Sequence, residues 1–253
     1  MPRNLDIQRI FEIADDSLQG LLGYYLYTTS ATECAQQNCI LSKLPEDRIP
    51  ITHAWDRFYQ PNELIAIMEN VFVSYQTRVC LAAMVNIFEV SSRSFANCLE
   101  QAGHPQTIPD NPKHYKNRLK WIFQKVAVST IPDQKIQARI TDLCLDVDHG
   151  RRLRNISVHN NGLFDNRYGN DCIQIAGHNP LIHPDYQHYI EDKNEPVPMI
   201  LSPLDYLQLS KSHIELLHVL HYEIQRQDFG DPTGYSYRDE KKAIEWHRIL
   251  LGY

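Results

Sequence analysis

Arg154 and His159 are the two side chains of this 253-residue chain whose types and spacing most invite chemistry. They stand in the run Arg154-Asn155-Ile156-Ser157-Val158-His159-Asn160-Asn161-Gly162. Arginine presents a planar, permanently charged fork that matches phosphate oxygens. Histidine titrates near neutrality and can take or give a proton. Cleaving RNA without a metal needs a base for the ribose 2′-hydroxyl, an acid for the leaving 5′-oxygen, and charge to stabilise the phosphorane. These two residues supply those groups. Asn155 could hydrogen-bond to phosphate, orient His159 or shape the helix end. The structural alternative is a surface arginine, a solvated asparagine and a histidine that caps a helix.

The element that must position them is a helix. Ile136, Ile140, Leu143 and Val147 lie three or four residues apart, which predicts a helix from Asp133 to Arg152 and onward. Asn160-Asn161-Gly162 tolerates a left-handed backbone and so ends it. Arg154 and His159 therefore fall in its last turns, where the negative end of the helix dipole favours a guanidinium and a protonated imidazole. Five residues on a regular helix turn two side chains by about 140°. The pair does not share one narrow face unless the helix end distorts, whereas Asn155 and His159 do share one.

The motif resembles that of the HEPN superfamily, all-helical domains with R-x(4–6)-H and a polar residue, often Asn, after the arginine. Here it reads Arg154-Asn155-x3-His159, with a glycine following as in many members. The resemblance implies a metal-independent endoribonuclease of a toxin or phage-defence system, leaving 2′,3′-cyclic phosphate and 5′-hydroxyl ends. It implies a homodimer in which two copies of the motif line one cleft, and a partner protein that restrains the activity. Other members have lost catalysis and bind RNA, a nucleotide or a protein. A third reading is a helical scaffold in which the pair is incidental. Members modified by a partner nucleotidyltransferase often carry R-x4-H-x-Y; Asn161 stands at that tyrosine position here, so such regulation is not supported.

Around the motif, Arg151, Arg152 and Asn160 are candidate substrate-binding residues, with Lys116 and Lys120 from a lysine-rich helix face that also holds Lys113, Arg118 and Lys125. Such cations attract the phosphate backbone without specifying sequence. Glu89, on an earlier helix, is a candidate carboxylate to orient Arg154; its plainer reading is a solvent-facing glutamate. The net charge of −6 and pI near 6.0 argue against sequence-blind coating of nucleic acid but not against a local basic groove.

No metal or cofactor is expected. His178, His183 and His188 recur every five residues but lack acidic or thiolate partners at ligand spacing. His53, Trp55, Asp56 and Tyr59 could line a site, though their spacing carries no mechanism. Cys34, Cys39, Cys80, Cys98, Cys144 and Cys172 are scattered, as free thiols of a reducing cytoplasm are. Met1-Pro2-Arg3-Asn4-Leu5-Asp6 lacks the apolar core of a secretory signal, and no apolar run approaches a membrane span. A cytoplasmic protein with no membrane association is the expectation.

The remaining pattern predicts a mainly α fold: an antiparallel, HEPN-like helical bundle with a small β-hairpin or extended insertion after the motif helix. Helices are expected at 5–28, 62–101 (stopped by Gly103-His104-Pro105), 115–128, from Ser202-Pro203 onward, and at 238–251. The stripe Tyr75, Val79 and Ala82 is expected to face the core, as are Leu207, Ile214, Leu217, Leu220 and Ile224. Cys172 to Ile175 and Val197 to Leu201 are candidate strands. The implied organisation is an N-terminal helical extension over 1–60, a HEPN-like domain over 61–229 with its insertion at 163–201, and a C-terminal loop and helix over 230–253.

Overall fold

A computed structural model describes residues 3–37, 73–104, 115–127, 134–159, 162–164, 197–198, 201 and 203–230. Among them the chain is mainly α, a bundle of helices: α1 (Arg3–Gln37), α2 (Val73–Gln101), α3 (Tyr115–Ala127), α4 (Gln134–His159) and α5 (Pro203–Phe229). Two short strands, β1 (Leu163–Phe164) and β2 (Val197–Pro198), pair antiparallel with Leu163 opposite Pro198. Val197 thus pairs as a strand, but with the residues just after the motif. Cys172 to Ile175, the 238–251 segment and the histidines at 178, 183 and 188 lie outside the described residues, as do His53, Trp55, Asp56 and Tyr59.

The helix ends follow their local chemistry. Gly103 takes a φ of 81°, its N–H bonds to Glu100 O, and the His104 N–H reaches back to Leu99 O at 3.0 Å. This is the left-handed glycine cap that the sequence pattern anticipates. α1 runs nine residues beyond its expected end at Thr28. Gly20 and Gly23 sit on its exposed side, so they weaken the helix without breaking it. The Thr28 and Thr32 hydroxyls then bond back to Tyr24 O and Thr28 O, each at 2.8 Å, and stay satisfied within the helix.

The chain groups into two compact units, each drawn from separate stretches of sequence. The first takes residues 1–16, 87–145 and 212–253. Its core is Ile7, Phe88, Phe95, Leu99, Trp121, Ile122, Leu143, Leu216, Leu220 and Ile224. Phe11 stacks on His221 with ring centroids 4.1 Å apart and meets His218 edge-on, while Asp15 holds His218 at 3.0 Å. As α1 advances its partners on α5 recede, so these segments are antiparallel. Ion pairs add to the unit: Lys125 with Asp228 at 2.7 Å, and Arg139 with Glu215 at 2.6 Å.

The second unit takes residues 17–86 and 146–211. Leu18, Leu22, Leu81, Met84, Val85, Val147, Leu153, Ile156 and Leu209 are buried in it. Tyr25 packs on Tyr206, ring centroids 4.2 Å apart, and shares a 3.0 Å hydrogen bond with Thr77. Gln76 donates to Thr28 beside it, so α1 and α2 also run in opposite directions here. Of the three tyrosines at 24, 25 and 27, Tyr25 packs inside, while Tyr24 and Tyr27 are exposed.

One expected core face is rotated and another holds in part. On α2, Tyr75 and Val79 are exposed, and the buried seam is Thr77, Leu81, Met84, Phe88, Ser92, Phe95 and Leu99. α2 is apolar on more than one side, so spacing alone admits both phases. On α5, Leu207 and Ile214 are half-buried, while Tyr206, Leu209, His213 and Leu216 are buried beside Leu217, Leu220 and Ile224. By length and composition Tyr75–Gln101 reaches what a membrane span needs, contrary to the expectation that no apolar run does. Half of that window is buried inside the protein, as in the core helix of a bundle.

Two buried histidines make stability depend on pH. In the second unit His149 is fully buried and neither ring nitrogen meets a hydrogen-bond partner among the described residues; burial lowers its pKa to about 4. In the first unit His221 is lowered to about 4, by burial first and then by the nearby His218 charge. Unfolding lets both rings titrate near pH 6.5, so between these values the unfolded chain binds more protons and the fold loses stability as pH falls. Each site should cost up to roughly 3 kcal/mol by about pH 4, with no further loss from these groups below it. Urea unfolding across that range should show the decline, and His149→Phe should remove its share of the slope.

Candidate functional site

α4 remains helical through His159, so the helix end does not distort to bring Arg154 and His159 onto one face. The stripe Ile140, Leu143, Val147, Leu153 and Ile156 is buried and fixes the rotation of α4. With that rotation Arg154 and Asn155 lie half-buried, and His159 stands exposed at the terminus. Ser157 bonds back to Leu153 O at 2.9 Å.

Arg154 is held by two amides. Its Nη1 donates to Asn155 Oδ1 at 3.1 Å, and its Nη2 donates across to Asn86 Oδ1 on α2 at 3.0 Å. Asn155 therefore orients the arginine, which is none of the three roles the sequence suggested for it. The bond to α2 goes to Asn86, three residues before Glu89. Glu89 itself lies 3.8 Å from Arg93, one turn further along the same helix.

Gly162 closes the helix. Its φ is 75°, and its N–H bonds to Ile156 O at 3.0 Å. A side chain at this position would fall on the Arg78 guanidinium, which lies directly against the glycine. Arg78 also sits 6.0 Å from the centre of the Tyr75 ring, at the outer reach of a cation–π contact. Arg78 and Asn86 are as far apart along α2 as Gly162 and Arg154 are along the other strand of the contact, in the opposite sense. Antiparallel neighbours require that register.

The other candidate cations are differently placed. Arg151 Nε and Nη2 both donate to Asp148 Oδ1, at 2.9 and 2.8 Å, and Arg152 Nε donates to Oδ2 of the same carboxylate at 2.8 Å. One negative charge thus compensates part of the pair that was to attract phosphate. Lys120 is exposed on α3, which belongs to the first unit, whereas the motif belongs to the second. The Lys116 side chain and Asn160 lie outside the described residues. Among the described residues no group of three or more His, Cys, Asp or Glu side chains could hold a metal ion. Burial raises the Cys144 thiol to about 12 and also raises Cys80, which suppresses thiolate chemistry at both.

Asn86 and Arg78 are the residues that sequence reasoning passed over. The available signal was compositional and applies to Asn86, a poor helix former that interrupts the apolar run from Val79 to Phe88; Arg78, a good helix former beside Gln76 and Thr77, carried no such signal.

Gly162→Ala should lower stability by roughly 1–2 kcal/mol from the left-handed backbone alone, and by more if Arg78 cannot move aside. Thermal unfolding of Gly162→Ala, alone and with Arg78→Ala, measures this. The second substitution should recover the steric part and leave the backbone part.

Comparison of the chain with family models, with curated proteins and with solved structures finds no match.

Proposed function

We propose that this protein is a metal-independent endoribonuclease of the HEPN type, and that its helical bundle is the HEPN fold. The observation that carries the reading is the Arg154 guanidinium, bonded by the Asn155 and Asn86 amides five residues before an exposed His159. An oriented guanidinium matches the planar, forked geometry of phosphate oxygens. An accessible imidazole at a helix C-terminus suits proton transfer.

In the proposed reaction an imidazole accepts the 2′-hydroxyl proton as the 2′-oxygen attacks the adjacent phosphorus. The new O2′–P bond forms while the P–O5′ bond breaks, and the same imidazole, now protonated, supplies that proton to the departing 5′-oxygen. The products are a 2′,3′-cyclic phosphate and a 5′-hydroxyl, with no water consumed. Arg154 stabilises the charge that builds on the non-bridging oxygens.

An arginine and an imidazole that must meet one phosphate call for two copies of the chain. Within one copy Arg154 and His159 are turned apart by about 140° on an uninterrupted helix. Pairing of two motif ends would bring the arginine of one copy towards the histidine of the other. Exposed apolar side chains flank the motif for such a contact: Tyr75 and Val79 on α2 and Val158 on α4. RNA is the partner, and a toxin or antiviral role with a restraining protein follows from the family resemblance.

Wild-type protein incubated with a mixed RNA pool in EDTA should cut it and leave cyclic phosphate ends. Arg154→Ala should slow cleavage by about 10²-fold or more, as loss of a charge-stabilising donor does. His159→Ala should cost about 10²- to 10⁴-fold. Folded variants that cut as well as wild type would refute the assignment. Binding without cutting by wild type would favour a recognition module instead.

A further inference from the structure

We infer that α1 carries an interface for a second copy of this chain, along the exposed stripe Ser17, Gly20, Tyr24, Tyr27 and Ala31. The pairing is antiparallel and sets each tyrosine of one copy against a small residue of the other. It uses no residue of the motif end and does not rest on the ribonuclease reading.

The composition of α1 points to a covering surface. From Ser17 to Thr32 the helix has no charged residue, in a chain that is 22% charged. Leu18, Leu22 and Tyr25 are buried in the second unit, which accounts for one side of the helix. The opposite side holds Ser17, Gly20, Gly23, Tyr24, Tyr27 and Ala31, all exposed, where a solvated helix face ordinarily carries charge. Tyr24 and Tyr27 stand 59% and 75% exposed. A surface rich in tyrosine and depleted of charge has the composition of an interface core.

The glycines give an independent reason. Glycine is the poorest helix former after proline, and neither Gly20 nor Gly23 has the positive φ that would require it. A side chain built at either position would meet nothing within 4 Å. Among the described residues nothing calls for glycine there, whereas a neighbour that comes close to the helix would.

The order of residues identifies that neighbour. The stripe advances by three, four, three and four residues, the spacing of a coiled-coil seam. Turned about a two-fold axis at the level of Leu22, it lays Tyr24 over Gly20 of the partner subunit and Tyr27 over Ser17 of the partner subunit. Symmetry repeats both contacts in the reverse sense. A parallel pairing would set tyrosine on tyrosine and glycine on glycine, crowding some layers and emptying others. The lack of Lys and Arg from Ser17 to Thr32 removes the attraction that RNA phosphate or an anionic lipid surface would need.

The test is sedimentation velocity of the full-length chain over a range of concentrations, with thermal unfolding of each variant. Wild type should associate reversibly. Gly20→Leu fills the space that the partner's Tyr24 enters. It should unfold no earlier than wild type, because leucine is the better helix former, yet raise the Kd of association about tenfold or more. Tyr27→Lys, which puts a charge into the contact, should weaken association likewise. Exchanging the two residues, Gly20→Tyr with Tyr24→Gly, again sets large against small and should recover most of the association. In a Cys34→Ser background, Ser17→Cys protein mixed with Tyr27→Cys protein should join through a short thiol crosslinker, position 17 of one copy to position 27 of the other. Links of 17 to 17 and 27 to 27 should be absent, since the antiparallel register holds each pair about 15 Å apart along the helix. A wild type that stays monomeric would overturn the inference. So would association that Gly20→Leu and Tyr27→Lys leave unchanged, which would assign it to another face, and so would like-to-like links in place of the mixed one.

Discussion

The end of α4 is tied twice to α2, by the Arg154–Asn86 hydrogen bond and by Arg78 lying on Gly162. These two contacts fix the register of the helices in the unit that holds the motif. The buried stripe through Leu153 and Ile156 sets the rotation of α4, and the glycine cap sets where it stops. Helix ends leave carbonyls unpaired, so a helix that finishes in this way must be closed by a left-handed residue or a cation. Here the left-handed residue is present, and the Arg78 guanidinium of α2 lies against it. The position of His159 follows: it is the last helical residue, exposed, and turned away from Arg154.

Charge is distributed along α4 with a consistent logic. Asp148 takes up Arg151 and Arg152, and the neighbouring His149 is buried and held neutral. Beyond Leu153 the polar groups change character, with amides in contact with Arg154 and an exposed imidazole at the end. In a chain of net charge −6, an anionic polymer would have to be bound through such local placement. In the proposed account the cationic groups at the motif end do this, and pairing two copies doubles the local positive charge.

Much of the fold was legible in the sequence, and the exceptions share a physical cause. Gly103 and Gly162 announced two helix ends because a left-handed backbone has few alternatives to glycine. Ile140, Leu143 and Val147 announced the buried face of α4 by their spacing, with Thr141 and Asp142 exposed beside them. α2 misled because Tyr75 and Val79 form an apolar line as regular as the buried one, and only neighbours decide which line turns inward. In the candidate site Arg154, Asn155 and His159 stood out by type and spacing. Asn86 did not, since its bond to Arg154 spans 68 residues of sequence and depends on the antiparallel register of α2 with α4. Arg78 was hidden for the same reason. Glu89, chosen from the sequence, lies on the same helix as Asn86, three residues further along.

The central claim is that one cleavage site is shared between two copies, Arg154 from one and His159 from the other. Mixing inactive Arg154→Ala with inactive His159→Ala protein, after allowing subunits to exchange, tests it directly. Random pairing into symmetric dimers makes about half of them mixed, each with one complete site, so about a quarter of wild-type cleavage should return. A mixture that exchanges subunits yet stays as inert as either variant alone would contradict the account.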